Sequence, residues 1–295
     1  MNNVSSMVVP TRNRPDDLAR MLHTVAQQTE LPTEIIIVDS SDVSNREHPV
    51  LHAVFNTLRT LGVHIVYHHT SERGAARQRN IGIDLVQTEL IHFMDDDMLL
   101  APDYIERMHA VFARCPDYAG GMGTLVGCLP PKNSCNSLLR RLFLLQRVYA
   151  NGQFTPSGMP LHPYGRDEFM TVRVLNGCAS YRTAIVKEYR FDERLGAYSY
   201  MEDCDLSFRV SAKHALFFEP LARLEHPASP HSRLTIVENR RVFMRNYRYL
   251  FAKNHRGQRF GSTIAHGWSI TGLFFEALLA RNWQYLRGYW QGLLD

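Results

Sequence analysis

Leu90-Ile91-His92-Phe93-Met94-Asp95-Asp96-Asp97 is the stretch on which the fold turns: a short strand-like run, then three adjacent acids. A brief apolar run of this kind is the pattern of a strand covered on both faces, as in a parallel sheet. Three neighbouring carboxylates repel one another unless positive charge sits among them. Working outward, the same run precedes this one three times, at Met7-Val8-Val9, Glu34–Val38 and Val63–Tyr67. Helical periodicities lie between the runs. Leu18, Met21, Leu22 and Val25 follow Pro15-Asp16-Asp17, and Val50, Leu51, Val54, Phe55 and Leu58 form a second stripe. Residues 74–87 read as a third helix. Residues 102–113 read as a fourth, with Tyr104, Ile105, Met108, Val111 and Phe112 on one face. Proline and acids in a first turn are the expected start signals. Strand–helix alternation implies right-handed crossovers and an α/β fold, an open, mostly parallel sheet flanked by helices.

In such a sheet, ligands bind beyond the carboxyl ends of the strands. Those ends read Pro10-Thr11-Arg12-Asn13-Arg14, Asp39-Ser40-Ser41-Asp42, Ser71-Glu72-Arg73-Gly74 and Asp95-Asp96-Asp97. Carboxylate oxygens are hard ligands suited to magnesium or manganese, which bridge a protein carboxylate and a substrate diphosphate. The plainer alternative is an acidic cap for the helix near 102. In Arg73-Gly74-Ala75-Ala76-Arg77-Gln78-Arg79-Asn80-Ile81-Gly82, a glycine and small residues allow a helix N-terminus to approach a ligand, and arginines can pair with phosphate. The plain amphipathic reading leaves Arg77 and Arg79 in solvent. The segment is neither GxGxxG nor a Walker loop. Met201-Glu202-Asp203-Cys204-Asp205 sets acids at a helix start, where a carboxylate serves the helix dipole or takes a proton from a hydroxyl. Glu225-His226-Pro227 offers a loop histidine.

After Gly120-Gly121 the rhythm changes. An apolar helix is expected at 136–149, a Gly/Pro-rich loop at 150–168, short strands near 171–181 and a helix near 203–213. Composition shifts at Pro227-Ala228-Ser229-Pro230. Five cysteines, odd in number and without a CxxC pair, argue against a disulfide framework or zinc ribbon. No secretory signal is apparent, and no run reaches the roughly 20 apolar residues of a spanning helix. A cytoplasmic location is therefore expected. The overall charge of +4 is uneven: residues 233–295 hold ten Arg/Lys against Glu238, Glu276 and Asp295. Arg240, Arg241, Arg245 and Arg248 interleave with Phe243, Tyr247, Tyr249 and Phe251. Such a surface suits an anionic membrane, a nucleic acid, or packing on the rest of the chain.

Taken together, VVPTRNRP, IIIVDSS, RGAARQRNIG, FMDDDMLLAPDYIE and NGCASYR followed by MEDCDLSFRV resemble glycosyltransferase family 2 over about Met7–Pro227. The resemblance implies the GT-A nucleotide-diphospho-sugar transferase fold. It implies a catalytic domain at 1–230, with a nucleotide-sugar-binding half (1–125) and an acceptor half (126–230). A basic, aromatic helical C-terminal extension follows at 231–295. It implies an inverting, metal-dependent transfer from a nucleoside-diphosphate sugar to a hydroxyl of a saccharide or lipid-linked acceptor, as in polysaccharide biosynthesis at the cell envelope. Residue by residue, Pro10, Thr11 and Arg12 line the nucleotide pocket, Asp39 bonds the base, and Arg73 lies near the nucleotide. Asp95 and Asp97 are the acids of the DxD motif, Asp97 the more direct ligand of Mn or Mg, with Asp96 beside them as the most replaceable. Asp203 is the base, Glu202 supports it, and His226 is a further metal ligand. The family's acceptors favour peripheral contact with the cytoplasmic face of a membrane, and no nucleic acid partner is expected.

Two rivals differ in chemistry. A sugar-phosphate nucleotidyltransferase usually carries a glycine-rich loop with a basic residue after the first strand, and Thr11-Arg12-Asn13-Arg14-Pro15-Asp16-Asp17-Leu18 offers none. A non-catalytic nucleotide-sugar-binding protein of the same fold has no need of both the acid cluster and Glu202-Asp203. VDSS, where VDDGS is commoner in the family, leaves the loop after Asp39 open.

Overall fold

In the computed structural model, which describes residues 4–128, 135–146, 152–227, 234–255 and 261–295, the apolar runs pair as a sheet. The chain divides into two units, Met1–Cys128 with Gly165–Ser232, and Leu129–Tyr164 with Arg233–Asp295. The composition break at 228–230, the ends of the expected 136–149 helix and 150–168 loop that meet at 147–151, and Arg233, Arg256 and Arg259 lie outside the described residues.

The first unit opens with β1 (Ser5–Thr11), α1 (Pro15–Ala26), β2 (Glu34–Asp39), α2 (Pro49–Thr60), β3 (His64–His69), α3 (Ala75–Leu85) and β4 (Leu90–Phe93). It continues through β5 (Leu99–Leu100), α4 (Tyr104–Arg114) and β6 (Tyr118–Leu125). The second unit interrupts it with α5 (Cys135–Leu142), β7 (Gln153–Phe154) and β8 (Pro160–Leu161). The first unit then resumes with β9 (Met170–Val172), β10 (Ser180–Arg182), α6 (Thr183–Tyr189), α7 (Glu202–Val210) and β11 (Ala215–Glu225). Its sheet runs β3-β2-β1-β4-β10-β6-β11-β5, with β9 also on β11. Strands β1 to β4 pair in parallel, and β10 breaks the direction by running antiparallel to both β4 and β6.

Alternation along β1 explains the two helical layers. Met7 and Val9 join Leu18, Met21, Leu22, Val54 and Phe55 in the core beneath α1, α2 and α4. Val8 points the other way, onto α3, where a Cβ on Gly82 would come within 2.3 Å of its Cγ1. Only glycine lets α3 lie that close. Gln78 of α3 then donates to the Val38 and Thr11 carbonyls (2.7 and 2.9 Å), tying the helix to two strand ends.

The second unit completes itself with α8 (Ile236–Leu250), a π turn at Phe251–His255, α9 (Ser262–Leu279) and α10 (Trp283–Leu294). Thr235 and Glu238 form a reciprocal cap at the start of α8. Helix α10 rests on α8 through glycines: a Cβ at Gly288 would meet Arg240 Cβ and the Val237 carbonyl, both at 2.6 Å.

Candidate active site

Parallel pairing sets Thr11 beside Asp39, and Asp39 beside His69, at the carboxyl ends of β1, β2 and β3. Strand β4 ends next to them, so Asp95, Asp96 and Asp97 enter the same rim. Asp96 is buried; it accepts from the Thr11 hydroxyl (2.7 Å) and from Arg14 Nη1 (3.1 Å). Burial pushes its carboxyl up to about 7, with Arg14 and Thr11 opposing and Asp97 and Asp95 adding to the rise. The middle acid thus ties β4 to the loop after β1. Its removal would take one partner from Arg14 and from Thr11, which bears on the expectation that it is the most replaceable of the three. Arg14 also lies 3.7 Å from Asp97 Oδ2, and so supplies the positive charge that three adjacent acids demand. Pro10 precedes Thr11 in β1, half-buried at the same rim.

Asp97 Oδ1 and His226 Nε2 are 3.1 Å apart. Two neighbouring ligands of an octahedral ion bound at 2.0–2.1 Å stand about 3 Å apart, so this pair has the spacing and the hard or borderline donor atoms that Mg or Mn accepts. The expected trio does not converge: Asp95, Asp97 and His226 do not bring three ligand atoms within 4.8 Å of one another. Asp95 is turned instead toward Arg79.

Arg79 is the residue the sequence reading missed. It is 1% exposed, not solvated. Its Nη2 donates to Asp95 Oδ1 at 2.6 Å, its Nη1 donates to Glu202 Oε1, and its guanidinium lies 5.4 Å from the Phe191 ring centroid. Burial works against its charge, but Asp95 and Glu202 more than offset that and hold the guanidinium protonated. The periodicity of α3 carries the signal: Ala76, Arg79, Asn80 and Ile83 share the buried stripe. Asn80 confirms that face, since its side chain exchanges hydrogen bonds with both backbone groups of Phe191 (2.9 and 3.0 Å).

Glu202 opens α7, immediately after Met201 in a left-handed conformation at φ 73°. That is an uncommon backbone state for a residue with a side chain, and it turns the chain sharply into the helix. Burial raises the Glu202 carboxyl, Arg79 opposes, and the neighbouring Asp203 adds to the rise. Asp203 is half-buried and accepts from the Cys204 N–H at 2.8 Å. Below it, Asp205 is buried and paired with Arg209 at 2.9 Å. Arg209 in turn donates to the Tyr189 and Arg190 carbonyls (2.5 and 2.6 Å) and pins the helix.

The other predicted contacts divide. Asp39 is fully buried and already receives the Ser41 N–H (2.8 Å), the Ser41 hydroxyl, the Asn45 N–H (3.1 Å) and the Tyr67 hydroxyl (2.6 Å). A carboxylate has about four acceptor sites, so Asp39 shapes the 39–45 loop and has little left to offer a base. Burial, then Asp39, pushes the Tyr67 phenol far above its ordinary range and keeps it a donor. Arg12 and Arg73 meet at one carboxylate that was not singled out, Asp42. Arg73 Nη2 lies 2.6 Å and Arg12 Nη2 3.6 Å from Asp42 Oδ1. A hydrogen bond from Asn13, then the two arginines, hold Asp42 below the usual carboxylate range despite some desolvation. Gly74 sits at φ 126°, where a Cβ would stand 3.1 Å from the Gly196 carbonyl. Its close approach is to residues 196–197, and Ser199 accepts from Ala76 N–H at 3.2 Å. The start of α3 therefore meets a loop of the protein itself, where a phosphate was expected.

The family model described as "Glycosyl transferase family 2" matches residues 6–147. A Haemophilus influenzae protein named as an uncharacterized glycosyltransferase is 29% identical over 112 residues, 38% of this chain and 35% of that protein. The chain thus spans about a third of that relative. Among solved structures, the mannosyltransferase PcManGT of Pyrobaculum calidifontis, in complex with GDP-Man and Mn2+, superposes with a TM-score of 0.62 at 15% identity. It is covered to 87% and covers all of this chain. Residues 1–349 of S. aureus TarS in complex with UDP-GlcNAc superpose with a TM-score of 0.56 at 15% identity, covering 97% of this chain and 79% of that one. At that identity, the likeness concerns the fold.

Proposed function

We propose that this chain, whose residues 6–147 match the glycosyl transferase family 2 model, is a member of that family and moves a sugar from a nucleoside-diphosphate sugar to a hydroxyl of a saccharide or lipid-linked acceptor, with inversion. One observation carries the reading. The buried Arg79 holds Asp95, at the end of β4, and Glu202, at the start of α7, in one cluster. The donor-side acids and the half-buried Asp203 are thereby kept at fixed separation, as a direct displacement requires.

Asp203 takes the proton of the acceptor hydroxyl as that oxygen forms a bond to the anomeric carbon and the bond to the diphosphate oxygen breaks. The electron pair of the broken bond leaves on the nucleoside diphosphate. Arg12 and Arg73 release Asp42 and turn to the diphosphate, where they offset the growing charge. Asp97 and His226 would hold a divalent ion and Asp95 would serve the nucleotide; when bound, the ion would supply Lewis-acid stabilisation of the departing diphosphate. Manganese suits this carboxylate–imidazole pair. Pro10 and Thr11 form the floor of the nucleotide pocket, and Asp39 acts through the loop it shapes. A place in envelope polysaccharide assembly, in the cytoplasm with peripheral membrane contact through residues 231–295, belongs to the same proposal. The experiment is transfer from a panel of nucleotide sugars with and without manganese, in the natural chain and in Asp203→Asn. Loss of transfer with metal-dependent nucleotide binding retained is expected; normal turnover by Asp203→Asn overturns the assignment of the base.

A further inference from the structure

In the basic helix α8, where membrane contact was expected, the aromatics and several arginines are engaged within their own unit. Phe243, Tyr247 and Phe251 are buried, Arg240 lies 4.2 Å from the Tyr285 ring centroid, and Arg241 pairs with Asp295 at 2.7 Å. Arg248 donates to the Leu293 carbonyl at 2.6 Å.

Helix α9 is built inside out. It buries Ser262, His266, Ser269, Gly272, Leu273 and Ala277, and it exposes Ile264 (76%), Trp268, Phe275, Leu278 and Leu279 (62%). Inward polar groups bond within the unit: Ser269 shares a 2.7 Å hydrogen bond with Tyr247, and His266 Nδ1 bonds the Ser157 carbonyl at 2.9 Å. Gly272 lets Phe143 lie against the helix. Phe143 backs the exposed row, with its ring 4.7 Å from Trp268 and 5.7 Å from Phe275, and Trp268 donates to the Leu142 carbonyl at 2.8 Å. Leu142 is itself 61% exposed and widens the apolar strip. The outward face carries no charge along its 18 residues, about 27 Å at 1.5 Å per residue. Glu276, the helix's one ionisable acid, is held by Arg140 at 2.5 Å. Helix α10 adds Trp283 and Trp290, exposed with Arg287 between them.

We infer that the exposed faces of α9 and α10 form a docking surface for an anionic lipid bilayer. Three observations favour that occupant. All three tryptophans of the chain stand on it, each 44–68% exposed; a large aromatic with a polar edge is the side chain preferred at the water–lipid boundary. Among the described residues this unit holds nine Arg/Lys against three acids, and each of the three has a partner within the unit: Glu238 in the Thr235 cap, Glu276 on Arg140 and Asp295 on Arg241. A second copy would bring the same uncompensated positive charge against it, whereas anionic headgroups complement it. No described helix is long and apolar enough to cross a membrane, so α9 would lie in the interface plane with its apolar row inserted. The inference sharpens the proposed membrane contact but stands independently of sugar transfer, because none of these residues belongs to the acid cluster.

The full chain should be mixed with vesicles of phosphatidylcholine alone, and with vesicles carrying a third phosphatidylglycerol, at low salt. Because every tryptophan lies on the surface in question, intrinsic fluorescence reads it directly. A blue shift and co-sedimentation with the anionic vesicles are expected. Ile264→Glu combined with Leu279→Glu should weaken that binding about tenfold or more, from the apolar area no longer buried. Both sites are exposed, so an unchanged circular dichroism spectrum and melting temperature should accompany the loss. Absence of binding, binding without a tryptophan shift, or equal binding to neutral vesicles overturns the inference. So does concentration-dependent dimerisation that the same two substitutions abolish. Sugar transfer to a soluble acceptor fails only if the transferase reading fails, so the two tests are separable.

Discussion

Arg79→Met removes the one cation between two carboxylates while keeping a long apolar stem in the space beside Phe191. In the natural protein the guanidinium is 1% exposed and the Glu202 side chain 12% exposed, while Asp95 at 39% is partly screened by water. The cost therefore falls mainly on Glu202. Breaking a buried pair by removing one partner costs about 3–5 kcal/mol while the other stays ionised. The sign with pH follows. The folded-state carboxyl of Glu202 is already raised above its ordinary value, so the unfolded chain loses this proton at lower pH than the folded one, and stability falls as pH rises across that interval. Taking away Arg79 raises Glu202 further and extends the interval upward. The deficit of Arg79→Met should thus be small near pH 5, where Glu202 is neutral in both proteins, and grow by about 1.4 kcal/mol per pH unit above the value of about 7 to which the natural chain raises this carboxyl, reaching about 1.4 kcal/mol near pH 8. At roughly 2–4 °C per kcal/mol for a chain of this size, the melting temperature should drop by about 3–6 °C at the higher pH. Urea unfolding at both pH values, for Arg79→Met and for Arg79→Met with Glu202→Gln, measures it. The double variant should recover stability at pH 8. A deficit below about 1 kcal/mol, or one that ignores pH, refutes the picture of a buried clamp.

Three further outcomes follow from the same physics. Asp96→Ala should destabilise by about 2–4 kcal/mol in chemical denaturation, since it takes the nearest carboxylate from Arg14 and the acceptor from the Thr11 hydroxyl in a largely dry setting; a change within experimental error would make Asp96 the replaceable neighbour it was expected to be. Asp42→Asn should tighten nucleoside-diphosphate binding by about two- to fivefold in calorimetry, because Arg12 and Arg73 lose an exposed competing carboxylate, and weaker binding would mean that Asp42 positions them for the ligand. His92 is fully buried between Ser180 (2.7 Å) and His109 (3.1 Å), and burial, then His109, drives its imidazole well below the ordinary value of 6.5. Below pH 6.5 the unfolded chain gains a proton that the folded chain refuses, so His92 costs up to about 1.4 kcal/mol of stability per pH unit. Between pH 6.5 and 5 the stability of His92→Gln should fall less steeply than that of the natural chain; parallel curves would show that the buried imidazole takes its proton in the folded state as well.

The strands were legible because each is a short apolar run bounded by polar turns, and a doubly covered strand has no other way to look. Glu34–Val38 and Leu90–Met94 lie within a residue of β2 and β4. The start of α1 was marked by proline at the first turn, where its missing N–H costs no helical hydrogen bond. What periodicity does not carry is which distant elements share a sheet. Strand β10 is three residues long, Ser180–Arg182, and lies between β4 and β6 only because Tyr181 pairs with Ile91 on one side and Gly120 on the other. The grouping of 129–164 with the C-terminal helices is likewise long-range, resting on contacts such as Phe143 with Gly272 and Tyr247 with the Ser157 carbonyl.

At the site, residue type was readable and partner choice was not. Any acid after a parallel strand reaches the rim, so Asp95, Asp96 and Asp97 could be placed there from pattern alone. Which of them has an arginine for a partner depends on how α3 is turned, and only the weak stripe of Ala76, Asn80 and Ile83 shows which arginine faces inward. Arg77 and Arg79 are two residues apart on α3, on faces about 200° apart at 3.6 residues per turn. The first meets solvent and Glu193; the second lies beneath the acids. That single rotation decides the chemistry. With Arg79 turned in, Asp95 is tied to the start of α7, whereas Asp97 lies against His226 and Arg14, so the two outer acids of the cluster keep different partners.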